Sequence, residues 1–148
     1  MPIPPFSLGG VLPEGIHDCT FEELRRRFGS FQASDRRPKL FAKLESFFAE
    51  VRVSGLARYV LIDGSFATAK SQPNDIDLIL IIAGDYDFAT DLAPSQYNIL
   101  SKTRVRKRFG FDLIAVRENT VELHEAVAFF EQVRGNSSGR KGILKLLV

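Results

Sequence analysis

The chain reads as an α/β (α+β) protein, a small mixed β-sheet flanked by helices, with a short helical N-terminal appendage. Three observations predict this. Apolar segments of helical period alternate with short β-branched runs. The composition, 45% hydrophobic and 26% charged, is that of a soluble globular domain. A chain of 148 residues is long enough for one core without covalent staples, since at that size roughly 68–70% of the unfolded surface is buried.

Each element has its own signal. Thr20-Phe21-Glu22-Glu23 fits a capping box, so a short basic helix is predicted from there through Arg27, ended by Gly29. Beyond Pro38, the residues Leu40, Phe41, Leu44, Phe47, Phe48 and Val51 form one apolar helical stripe, which Gly55 terminates. Tyr59 to Ile62 is a short buried strand running into Asp63-Gly64-Ser65, and Asp75 to Ala83 is a second. A helix is predicted from Pro94 to about Thr103, then a third strand from Phe109 to Val116. The last long helix, about Val121 to Arg134, is followed by a loop from Gly135 to Gly139 and an edge strand from Ile143 to Val148. Residues 1–37 read as an extension packing on a main domain of residues 38–148. The phenylalanines at helical spacing are core residues. RFGSF at Arg27–Phe31 and RFGF at Arg108–Phe111 are too short a match to be a repeat.

Several function classes fall away. A single cysteine, Cys19, leaves no intrachain disulfide and no multi-cysteine zinc site, and its thiol is read as inert. His17 and His124 are far apart and read as a turn residue and a surface or packing residue. Met1 to Pro13 has no basic leader region and is not read as a signal peptide. The longest apolar run, Leu78 to Ala83, is six residues, against the roughly 20 a membrane helix needs. A cytoplasmic protein with no membrane partner is expected. The net charge of +2 permits a phosphate-bearing partner without requiring one.

The chemistry-bearing stretch is Leu61 to Leu80, LIDGSFATAKSQPNDIDLIL. A strand delivers Gly64-Ser65, nine residues follow, and Asp75-Ile76-Asp77 opens the next strand. Residues i and i+2 of a strand share a face, so Asp75 and Asp77 are expected to project together. Two ionised carboxylates at such range repel unless a cation lies between them, and hard oxygen donors suit Mg²⁺ or Mn²⁺. Gly64 allows close backbone approach to a ligand, and Ser65 adds a hydroxyl where N–H groups could meet a phosphate. Asp112, polar within an apolar strand, is read as buried and in need of a partner, which a shared metal would supply.

Gly64-Ser65, Asp75-Ile76-Asp77 and Asp112 together resemble the nucleotidyltransferase superfamily of DNA polymerase β, and more narrowly its minimal bacterial members. Leu12 to Gly29 and the GILKL tail resemble a family of small uncharacterised bacterial proteins in that superfamily. The resemblance implies that residues 38–148 form a nucleotidyltransferase-like domain. It implies that Gly64 and Ser65 hold the β- and γ-phosphates of a nucleoside triphosphate. Asp75, Asp77 and Asp112 would ligate Mg²⁺ (or Mn²⁺), with Asp112 also helping to activate an acceptor hydroxyl. A nucleoside monophosphate, AMP first among them, would pass to a protein, RNA or small-molecule hydroxyl with release of pyrophosphate. Many members carry a basic residue directly after the Gly-Ser pair, where this chain has Phe66, and Lys70 is the candidate substitute. The alternative is a catalytically weak interaction module of the same fold, such as an antitoxin that binds a helical partner toxin.

Competing motifs are weaker. Gly64 to Ser71 differs from a Walker A loop by Ala69, but a strand rather than a helix follows it. Asp85 and Asp87 are read as loop acids, and Asp63 as facing away from the site or orienting the turn. Lys102, Arg104, Arg106, Lys107 and Arg108 place five cations in seven residues. They fit either a solvated helix end or a patch for a triphosphate or RNA backbone.

Overall fold

The computed structural model describes residues 3–31, 34–133 and 136–148. Seven strands and five helices are assigned among them: β1 (Gly15–Cys19), α1 (Phe21–Phe28), α2 (Arg36–Ser54), β2 (Ala57–Asp63), β3 (Asp77–Ile82), α3 (Pro94–Leu100), α4 (Lys102–Phe109), β4 (Asp112–Arg117), α5 (Val121–Phe130), β5 (Gln132–Val133), β6 (Asn136–Arg140) and β7 (Gly142–Leu147). A 3-10 turn, Ser65–Ala67, follows β2. The fold is mixed α+β. Among the described residues, no helix is long and apolar enough to cross a membrane.

Five strands form one sheet in the order β1-β7-β2-β3-β4. The outer pairs, β1 with β7 and β3 with β4, are parallel, and the inner pairs are antiparallel. Alternation of side chains splits the sheet residues between two cores. Val60, Ile62, Leu78, Leu80 and Leu144 face a large cluster built with α1 to α4. Leu61, Ile79, Ile81 and Ile143 face a smaller one with Ala126 and Phe130 of α5. Helices therefore cover both faces.

Local chemistry explains most boundaries. Thr20 and Glu23 exchange the two hydrogen bonds of a capping box, each at 3.1 Å. Gly55 closes α2 in the left-handed conformation at φ 69°. Several expectations are corrected. The Pro94 helix ends at Leu100 and not at Thr103; Ser101 caps a second helix, α4, by accepting from the Arg104 N–H, and α4 takes in Phe109, so the third strand starts at Asp112. α5 stops at Phe130, and the β5–β6 hairpin replaces the expected helix end and loop. Arg134 and Gly135, which those two expectations include, lie outside the described residues. The C-terminal strand β7 is interior to the sheet, because β1 takes the edge beside it. His17 is accordingly a strand residue, paired with Leu144.

Candidate functional site

The acidic residues converge at one end of the sheet. Asp63, the last residue of β2, lies opposite Asp77, the first of β3, and Asp77 lies opposite Asp112, the first of β4. Cross-strand partners share a face, and neighbouring strands are about 4.8 Å apart, so the three carboxylates form a row. The row lies on the α5 side, in step with Leu61, Ile79 and Val116. Asp63 thus faces the site and not away from it. Its pairing depends on long-range register, which no local pattern at Asp63-Gly64 discloses.

Each member of the row is held differently. Asp63 is buried and forms an ion pair with Lys141, Nζ to Oδ1 2.9 Å, their side chains 5% and 17% exposed. Burial pushes the Asp63 carboxyl up, opposed by Lys141. Asp77, half-buried, is pushed up to about 6 by burial first and then by the charges of Asp75, Asp63 and Asp112. Asp112 departs from expectation, being 60% exposed, and its partner is the Arg106 guanidinium, itself 64% exposed. The N-terminal position of Asp112 on an edge strand explains this: the apolar residues that follow it are covered, and it is not.

Asp75 lies outside β3, in the loop before it, so the expected strand alternation with Asp77 does not apply. Its Oδ1 accepts from the Ser65 N–H at 2.9 Å and from the Ser65 hydroxyl. The same hydroxyl accepts from the N–H groups of Asn74 and Asp75, at 3.0 and 3.2 Å. Gly64, at φ 88° and ψ −177°, lies against the backbone of residues 75–77; a Cβ there would be 3.0 Å from the Asp75 carbonyl and the Asp77 nitrogen. Gly64 and Ser65 therefore shape the chain's own turn. Phe66 is fully buried beside Phe28, so position 66 faces the core. Lys70 is exposed, and its carbonyl accepts from Arg37.

Arg37 is a residue the sequence reading passed over. It is 1% exposed, and its guanidinium donates to the carbonyls of Phe28, Phe66, Thr68 and Lys70. One buried cation thereby fixes the loop that joins Ser65 to Asp75. Nothing in the Arg36-Arg37-Pro38 triplet marks the second arginine for that task.

A cleft of about 560 Å³ opens beside the row, within the size range of small-molecule sites. Asp77, Asp112, Lys102, Thr103 and Arg106 supply its polar lining; Phe111, Leu113, Ile114, Phe129 and Phe130 supply its apolar wall. Gly64, Ser65, Lys70 and Asp75 are outside that lining. Two members of the basic run thus reach the cleft. Arg104 and Arg108 are engaged elsewhere, Arg104 with Asn98 and the Tyr97 ring, Arg108 with both oxygens of Glu50. Among the described residues no three His, Cys, Asp or Glu side chains, as they stand, form a group able to hold one metal ion. Asp77 and Asp112, in register and sharing the cleft, fit the two-carboxylate support on which Mg²⁺ is held together with substrate phosphates.

The match to known families covers residues 4–147. The chain belongs to the family of unknown function DUF6932. No curated protein and no solved structure matches it. For this DUF6932 chain, the row of carboxylates and the mixed-charge cleft are the features that carry a functional reading.

Proposed function

We propose that the chain is a divalent-metal-dependent nucleotidyltransferase that moves a nucleoside monophosphate, AMP first among them, from a nucleoside triphosphate to a hydroxyl acceptor. The supporting observation is the placement of Asp77 and Asp112, side by side on parallel strands, in one cleft with Lys102 and Arg106. Acid and base lining one opening suit a metal–phosphate ligand, whose charges are themselves of both signs.

In this reading Asp77 and Asp112 hold Mg²⁺ or Mn²⁺, which when bound supplies charge neutralisation at the phosphates. Lys102 and Arg106 meet phosphate oxygens, as charge-assisted donors do. The phenylalanine wall excludes water from one side of the bound nucleotide. The acceptor oxygen bonds to the α-phosphorus as the bond to pyrophosphate breaks, and Asp112 takes the hydroxyl proton. Ser65, Gly64 and Asp75 act through the turn that sets Asp77 in place, and the phosphate grip falls to α4 in place of Lys70. The acceptor class stays with protein, RNA or small-molecule hydroxyls.

Thermal unfolding with each of four nucleoside triphosphates, with and without Mg²⁺, tests the reading on wild type and Asp77→Asn. Ligand at 100 times its Kd stabilises by about 2.7 kcal/mol. The expected result is a Mg²⁺-dependent shift with at least one nucleotide that the variant loses. No shift with any nucleotide would overturn the proposal and leave a partner-binding module, such as an antitoxin, as the reading to pursue.

A further inference from the structure

The Arg106–Asp112 pair presents a conflict. Both side chains line the cleft, both are more than half exposed, and each neutralises the other. A carboxylate held by a guanidinium is a poor metal ligand, and a guanidinium held by a carboxylate is a poor phosphate ligand. An exposed pair, however, is weak, so a ligand can open it. Lys102, on the same side of α4 one turn earlier, needs no such release, because no ion pair or hydrogen bond engages its side chain among the described residues.

We infer that Arg106 is a phosphate-binding residue that waits on Asp112, and that the pair makes metal and anion bind cooperatively in the cleft. The inference rests on the proposed nucleotidyltransferase reading and assigns the triphosphate grip to a side chain the Gly64-Ser65 turn does not supply. A divalent cation at Asp112 displaces Arg106 and frees it for an anion. An anion that draws Arg106 away uncovers Asp112 for the cation. Linkage makes the two effects equal in size. With Phe66 in the core, this exchange supplies the cation that position 66 cannot.

The exchange gives Arg106→Gln opposite effects on the two ligands, which loss of general integrity cannot imitate. Titration calorimetry with Mn²⁺ alone, tripolyphosphate alone, and each in the presence of the other reads them, once the same titrations without protein have removed the contribution of the Mn²⁺–tripolyphosphate complex in solution. Arg104→Gln serves as the control, since Arg104 is engaged outside the cleft. In Arg106→Gln, Mn²⁺ alone is expected to bind more tightly, by up to about fivefold, the most an exposed pair allows. Tripolyphosphate is expected to bind more weakly, and the cooperativity of the wild type to vanish. Arg104→Gln should match wild type in all three. Weaker or unchanged Mn²⁺ binding in Arg106→Gln, with wild type binding both ligands, would sink the exchange and leave the nucleotidyltransferase reading standing. A wild type that binds neither ligand overturns both.

Discussion

Asp77 sits in the middle of the carboxylate row, and its titration follows from that position. Burial and three neighbouring acids push its carboxyl up to about 6, whereas an unfolded aspartate titrates near 3.9. The folded chain therefore binds more protons than the unfolded chain between those values, and stability falls as pH rises through that window. Asp77→Asn keeps the shape and removes the charge. In EDTA, the variant is expected to unfold at a higher temperature than wild type at pH 8, with the gain fading to nothing near pH 4. Allowing for solvent screening of a half-exposed group, the gain is about 1 kcal/mol, or about 2–4 °C at this chain length. Melting curves across that pH range check the sign. A variant less stable at pH 8 would mean that the ionised carboxylate is a structural contact, held for the fold and not for a ligand. Cys19 lies at the other end of this scale: burial pushes its thiol up to about 12, in keeping with an inert residue.

At the scale of elements, the β2–β3 connection shows what a sequence can and cannot disclose. Gly64 in Gly64-Ser65 is legible as a point of close backbone approach, and the structure holds it at φ 88° with ψ −177°, a conformation only glycine suits. What the turn touches is not legible, since the neighbour of Gly64 is the backbone of residues 75–77. Gly64→Ala is thus expected to destabilise by about 1–3 kcal/mol for the backbone conformation alone, more with the 3.0 Å contacts, as read by urea unfolding. An unchanged midpoint would show that the turn relaxes freely, and the close approach would lose its meaning. The same contrast runs along the chain. α2 and α5 were visible because an apolar stripe repeats within one segment, and α1 because its capping box is local. β1 was not: GIHDC alternates half-buried with exposed residues and carries no strong apolar signal. Asp63, Lys141 and Arg37 escaped for a related reason. Their partners are set by strand register and by a helix crossing a loop, distances that a reading of neighbours in sequence cannot measure.

For the molecule as a whole, the decisive feature is that the first and last strands lie side by side. β1 pairs in parallel with β7 from Gly15–Gly142 to Cys19–Leu146. The Gly142 N–H donates to the Leu12 carbonyl at 2.9 Å, and a Cβ on Gly142 would be 2.0 Å from the Pro13 carbonyl oxygen. Leu12, Leu24 and Phe28 are buried in the same cluster as the apolar stripe of α2. Arg37, at the junction between the expected extension and domain, ties the Phe28 carbonyl to the loop that precedes Asp75. These contacts make residues before 38 part of the sheet and of the site's support. Cutting there removes β1, uncovers β7 as a long apolar edge, and strips the loop behind Asp77 of its buried cation; sheet edges of that kind drive association. A chain of residues 38–148 is therefore expected to lose cooperative unfolding and the amide dispersion of a folded protein, while the intact chain unfolds in one transition. Heteronuclear NMR spectra of the two chains at equal concentration decide the matter. A well-dispersed spectrum from 38–148 would establish an autonomous domain and demote β1 to an accessory strand. Collapse or aggregation would place the candidate site on a sheet that both ends of the chain must close before Asp63, Asp77 and Asp112 can line up.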